Sequence, residues 1–274
     1  MAVRVAVEDI PPLDLAVLRF GQGGTILLLV LILTSPEKLK VQPTDIPFLA
    51  LLGAIFFSAF PLSFNTALQF TEASRGAAVI ATLPAWSIIL GRYFAGERLR
   101  RRQVAGVAVT IVGVGVAIGS ASAGTGTGTG DALIGDTLML VTAFLGALYG
   151  VLAKRALATY PPLTVTTYAM VIGTALLLPA ALPGGLTGAE GLDGRGLQLV
   201  LGLGIFGGAI GFFLWTSALS RLSPTRVAVY MNFNPMVAAL LGVLLLSEHA
   251  DPVFFIGFVA VVAGVYLVNA VPPG

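Results

Sequence analysis

Apolar blocks about as long as a membrane span follow one another along this chain, parted by short polar or glycine-rich breaks. A helix needs about 20 mostly apolar residues to cross the hydrocarbon core. On that measure the pattern predicts spanning helices over Leu13–Leu33, Ile46–Phe64, Ala73–Phe94, Val104–Ser120, Leu133–Ala153, Leu163–Leu182, Leu197–Leu214, Thr225–Leu246 and Pro252–Val268. The stretch Met1–Ile10 precedes them and is too short to span.

The blocks repeat. Ala67-Leu68, Arg75, Pro84, Gly91, Glu97, Gly106 and Gly113 recur 151 positions later as Ala218-Leu219, Arg226, Pro235, Gly242, Glu248, Gly257 and Gly264. Chance matches in an apolar chain would be Leu, Val and Ala, whereas these include Arg, Pro, Gly and Glu. Self-similarity of this kind signals internal duplication. At an offset of 150, Arg4-Val5-Ala6 and Pro11-Pro12-Leu13 match Lys154-Arg155-Ala156 and Pro161-Pro162-Leu163. Met1–Ile10 therefore corresponds to the end of the helix that begins near Leu133. The expected fold is an all-α polytopic membrane protein of ten helices in two halves of five, with the first helix truncated at its N-terminus; the alternative is a nine-helix protein whose N-terminal stretch lies on the membrane surface. The halves are residues 1–120 and 132–274, joined by a Gly/Thr/Ser linker at 121–131 whose composition makes it flexible.

Composition agrees with this pattern. Of 274 residues, 57% are hydrophobic and 10% charged, against about 25% charged in a soluble domain. There is no cysteine and one histidine, His249, which leaves no basis for disulfides or thiolate metal sites. Gly202-x-Gly204-x-x-Gly207 has the letters of a dinucleotide fingerprint but lies inside an apolar span without a preceding strand, so the mechanism is missing. No cofactor, metal or nucleic-acid partner is expected.

Charge sets orientation, since Lys and Arg gather in cytoplasmic loops. Counting the incomplete helix as the first, eleven of the fifteen Lys and Arg fall in alternate connections: Lys38, Lys40, Arg92, Arg98, Arg100, Arg101, Arg102, Lys154, Arg155, Arg221 and Arg226. These loops, and both ends of the complete fold, are read as cytoplasmic. Five helices per half is an odd number, so the second half is inverted relative to the first. The internal pseudo-dimer makes a monomer sufficient.

The pattern Pro12…Arg19-Phe20, the unit Ala67-Leu68…Pro84…Glu97 and its copy ending in Glu248 resemble the EamA-type carriers of the drug/metabolite transporter superfamily. The resemblance covers nearly the whole chain. It implies an inverted five-plus-five repeat, a central cavity, and export of small metabolites, often amino acids, with bacterial aromatic amino-acid and drug exporters as the nearest guess. Such carriers sit in the bacterial inner membrane. The family's first helix usually opens with a Trp-Gly-containing stretch facing the cavity, which this chain lacks.

Carrier sites tend to lie near the bilayer midplane on interrupted helices. Pro84 and Pro235 fall near the centres of the fourth and ninth helices, where proline removes a backbone hydrogen bond. They are expected to kink helices that line the site and flex in alternating access, or else only to shape packing. Tyr230, Asn232 and Asn234 add polarity to the ninth helix where the repeat partners Val79, Ala81 and Leu83 are apolar. Asn232 and Asn234 point about 200° apart on a helix, so both cannot face a cavity squarely; one is expected to bond to a neighbouring helix, and either is a candidate substrate contact. Arg19 either holds a substrate carboxylate or snorkels to the external surface; its repeat partner is Ala169. Asn65 and Gln69 close the third helix, and Trp86 and Tyr149 are deep aromatic candidates. Trp215 reads as interfacial belt. Glu97 and Glu248 precede the fifth and tenth helices and read as structural caps of the positive helix end. The expected partners are a small-molecule substrate and membrane lipid. A secondary exporter is the leading reading. A non-transporting scaffold, or an intramembrane enzyme with clustered acids, is the alternative.

Overall fold

A computed structural model describes residues 3, 6–7, 10–71, 73–94, 96, 100–119, 129–182, 194–233, 236–237 and 252–270. Among these the chain is all helical, with no strand. Among the described residues six helices are long and apolar enough to cross a membrane: Pro12–Thr34, Pro43–Phe70, Gly76–Phe94, Leu133–Leu157, Pro162–Ala181 and Gly196–Arg221.

Helix α1 (Pro12–Thr34) starts at a Pro-Pro pair. Proline suits a first helical turn because the N–H it lacks has no intrahelical acceptor there. Helix α8 (Pro162–Ala181) starts in the same way at Pro161-Pro162. The predicted Ile46–Phe64 block is three segments in line: α2 (Ile46–Gly53), a π-helical stretch Ala54–Ala59, and α3 (Phe60–Phe70). The predicted Leu197–Leu214 block has the same form, with α9 (Gly194–Gly202), a π-helical stretch Leu203–Ile210 and α10 (Gly211–Arg221). Shifted by 151, Ala54–Ala59 falls within Leu203–Ile210. Both spans outlast their apolar runs. Helical hydrogen bonding does not end where apolarity does, and polar ends such as Asn65 find partners.

The other elements are α4 (Ala73–Ile80), α5 (Leu83–Phe94), α6 (Arg101–Gly119), α7 (Thr129–Leu157), α11 (Pro224–Val229) and α12 (Pro252–Asn269). Ser223 caps α11, its hydroxyl accepting from the Arg226 N–H. At the end of α10, Lys154 Nζ donates to the Leu219 carbonyl at 2.9 Å, a favourable place for a cation.

The chain forms two compact units. One comprises Met1–Gln69 with Leu152–Arg221, the other Phe70–Val151 with Leu222–Gly274. Each takes segments from both sequence halves.

In the first unit, α1 and α8 pack together; α1 also packs on the π stretch Leu203–Ile210, and α8 on α2 and Ala54–Ala59. Backbones meet at Gly53 and Gly173: a Cβ on Gly173 would lie 2.5 Å from the Gly53 oxygen and 2.7 Å from Phe57 Cβ. The Ser58 hydroxyl donates to the Gly173 carbonyl at 2.6 Å. Phe20, Phe56, Phe57 and Phe212 form a ring-to-ring cluster, with Phe20 5.5 Å from Phe57 and 5.4 Å from Phe212. Edge-to-face pairs at such distances add about 0.5–1.5 kcal/mol each beyond area burial.

In the second unit, α6 and α12 cross in antiparallel fashion at glycines. A Cβ on Gly106 would lie 2.7 Å from the Gly264 oxygen, and one on Gly113 would lie 2.9 Å from the Gly257 oxygen. Small residues at a crossing let helix backbones approach closely in lipid.

The connection after α1 is fastened to the start of α8. Tyr160 donates to Asp45 Oδ2 at 2.6 Å and accepts from the Gln42 N–H at 3.1 Å. Thr164 and Tyr168 donate to the carbonyls of Lys38 and Leu39. The hydrogen bond to Asp45 raises the Tyr160 phenol above its ordinary value of 10.0, against a smaller opposite effect of the Gln42 N–H. A raised folded-state value stabilises the protein below pH 10, and that contribution is lost as pH rises through the raised value. Tyr160→Phe is therefore expected to flatten the fall of melting temperature above pH 10. An unchanged alkaline slope would contradict this.

Candidate functional site

Among its described residues the second unit holds two helix interruptions. The first is a turn at Ala81-Thr82 between α4 and α5. The Thr82 hydroxyl donates to the Val79 carbonyl at 2.7 Å, and its N–H reaches the same oxygen at 3.1 Å. Pro84 is the second residue of the helix that restarts after this turn; it has no N–H for the Ile80 carbonyl one turn earlier, so the interruption falls ahead of the proline. The second interruption is the 3₁₀ turn Tyr230–Asn232 after α11. Shifted by 151, it corresponds to Val79–Ala81. One apolar cluster gathers residues flanking both breaks: Ala77, Ala81 and Ala85 with Val229, Phe233 and Met236.

Asn232 is 1% exposed, and neither its amide oxygen nor its amide nitrogen has a hydrogen-bond partner. An amide offers two donors and an acceptor. Leaving such a group buried and unmet costs about 1–3 kcal/mol. Tyr230, at 46% exposure, stacks on Phe233 with centroids 6.3 Å apart. Trp86 lies half-buried on α5, edge-on to Phe144 at 5.5 Å, beside the cluster of Leu83, Leu90, Ala143, Ala147 and Ala228. Tyr149 is fully buried on α7.

The remaining candidates belong to the first unit. Asn65 is 2% exposed and its Nδ2 donates to the Pro12 carbonyl at 3.0 Å, which ties the end of α3 to the start of α1. Gln69 is exposed. Arg19 Nη2 donates to the Gly207 carbonyl at 3.2 Å, and its guanidinium lies 5.0 Å from the Phe20 ring centroid. Trp215, read as interfacial belt, has its indole N–H buried. Asn234, Pro235, Glu97 and Glu248 lie outside the described residues.

Sequence reasoning missed Gln22. It stands three residues after Arg19 on α1, with its amide oxygen buried, unpartnered and directed at Gly204. The signal was a second polar residue on one face of an apolar span. Among the described residues no group of three His, Asp or Glu side chains could hold a metal ion.

Comparisons with known proteins bear on what this arrangement is for. The sequence profile of the EamA-like transporter family matches residues 1–119 and 133–270. A probable terminal-alkyne amino-acid exporter of Streptantibioticus cattleyicolor is 32% identical, over 84% of this chain and 75% of that protein. A probable amino-acid metabolite efflux pump of Escherichia coli is 28% identical, over 97% of this chain and 88% of that protein. An uncharacterized transporter of Archaeoglobus fulgidus is 28% identical, over 98% of this chain and 91% of that protein. A crystal structure described without an activity has the same fold, with a TM-score of 0.81 at 20% identity, covering 98% of this chain and 90% of that one.

Proposed function

We propose, since the chain belongs to the EamA-like transporter family, that it exports amino acids or related amphipathic metabolites by alternating access across the bacterial inner membrane. It is a multi-pass membrane transporter and not an enzyme. The observation that carries the finer reading is Asn232, an amide buried with donor and acceptor both unmet at a helix interruption. A transported solute would supply the missing donor and acceptor, with Tyr230 and Trp86 offering aromatic surface. The two exporters named for amino acids or their metabolites support that solute class.

The proposed architecture is ten helices in an inverted five-plus-five repeat, with both ends of the complete fold cytoplasmic and a monomer as the working form. Reciprocal glycine contacts support the inversion. Gly106 faces Gly264 while Gly113 faces Gly257, and adding 151 to 106 and 113 gives 257 and 264. Exchange of this kind is what a two-fold axis between equivalent helices produces.

Counterflow in proteoliposomes tests the function. Vesicles loaded with unlabelled amino acids are expected to take up the labelled compound transiently, without ATP. Uptake equal to protein-free vesicles across amino acids and their amphipathic derivatives would overturn the reading.

A further inference from the structure

Arg19 is a cation inside a spanning helix. Its Nη2 donates to the Gly207 carbonyl, its Nε is buried without a partner, and among the described residues no carboxylate pairs with it. The rings of Phe20 and Phe212 lie 5.0 and 5.8 Å from the guanidinium carbon. Cation–π attraction offsets part of the loss of water but supplies no counter-charge. Charges within spans are costly and mark solute or ion pathways by default.

The chain contains its own control for a structural role. At an offset of 150 Arg19 corresponds to Ala169 on α8. There the same kind of packing, a long helix against a π stretch, is made by the backbones of Gly53 and Gly173 with no cation. The packing does not need an arginine.

Gln22 sits about one turn along α1, with its amide oxygen buried and unpartnered. Both side chains rest on glycines of the facing π stretch. A Cβ on Gly204 would come within 2.5 Å of Gln22 Oε1, and one on Gly207 within 3.1 Å of Arg19 Nη2. The glycine floor makes room for a cationic donor and an amide acceptor side by side.

We propose that Arg19 and Gln22 form a site for the head group of an α-amino acid. The carboxylate replaces the Gly207 carbonyl on the Arg19 guanidinium, and the ammonium donates to Gln22 Oε1. Gln22 lines a cavity whose walls include Val17, Leu18, Ile26, Leu201 and Ile205, and these favour an aromatic or large apolar side chain. This rests on the reading above that amino acids are the transported class, and it describes an amino-acid site of its own within the first unit.

Ligand-dependent melting of the purified protein tests the site without requiring transport. A ligand that binds the folded state raises the midpoint with concentration. Phenylalanine is expected to raise it, and phenethylamine, which lacks the carboxylate, is not. Arg19→Gln is expected to abolish the phenylalanine shift. Arg19→Lys keeps the charge but loses the planar fork and is expected to retain a weaker shift; it also serves as the readout should Arg19→Gln not fold. Gln22→Leu is expected to weaken the shift while leaving the response to 3-phenylpropionate, which has no ammonium, unchanged.

The site is overturned if phenylalanine gives no shift, if the shift survives Arg19→Gln, or if phenethylamine matches phenylalanine. It is also overturned if inorganic phosphate or an anionic lipid gives the same shift and competes with phenylalanine, which would make this an oxyanion or lipid head-group site. A phenylalanine shift without counterflow sinks the transport reading and leaves the site standing.

Discussion

Replacing Asn232 by leucine is expected to weaken counterflow strongly and, at the same time, to make the protein harder to melt. The two effects have one cause. The amide is buried with donor and acceptor unmet, so the resting protein bears a cost of about 1–3 kcal/mol that an apolar side chain of similar size does not. At about 2–4 °C per kcal/mol for a chain of 150–250 residues, the midpoint should rise by a few degrees. Transport should fall by about tenfold or more, the equivalent of losing 1.4 kcal/mol or more of solute recognition. Val229, Phe233 and Met236 already surround this turn with apolar surface, so leucine meets compatible neighbours. Counterflow and thermal unfolding of the same preparation check both halves. Lower stability with intact transport would show that Asn232 serves packing.

Gly264→Val is expected to be the most damaging single change to the fold. A Cβ at Gly264 would lie 2.6 Å from the Gly106 carbonyl oxygen and 2.8 Å from the Thr110 nitrogen. Both are backbone atoms of α6, so no side-chain rotation relieves the clash and the helices must part. Overpacking that rotamers can absorb costs about 1–3 kcal/mol, and a clash with backbone exceeds that range. The expected outcome is loss of a monodisperse peak in detergent. Gly115→Val on α6 is the control, because its Cβ would meet nothing within 4 Å. Equal behaviour of the two variants would contradict the crossing.

The sequence exposed these features unevenly, for physical reasons. The apolar blocks located the helices, because lipid forces continuous apolarity over a fixed length. Gly106, Gly113, Gly257 and Gly264 stood out because the repeat preserved them, but their packing and their pairing across an antiparallel crossing needed coordinates. Asn232 stood out as an amide whose repeat partner, Ala81, is apolar. Asn65 carried a similar signal and proved to tie α3 to α1, since composition does not tell which carbonyl an amide meets. The π stretches at Ala54–Ala59 and Leu203–Ile210 had no sequence signature: a π turn is a hydrogen-bond register, set by packing as well as by residue type. Proline marked the interruption of the fourth helix, which falls in the turn ahead of Pro84, where the Thr82 hydroxyl bonds the Val79 carbonyl. The compact units, each drawn from both sequence halves, were not visible in a linear reading of the duplication.

The most direct test of the central claim uses the absence of cysteine from the chain. Asn232→Cys places a single thiol at the proposed site without background labelling. A small water-soluble maleimide should modify it in intact proteoliposomes, and the transported amino acid should slow that reaction. The account predicts labelling with solute protection. A thiol that reacts only after unfolding, at the same rate with and without solute, would place Asn232 in a dry core and contradict it.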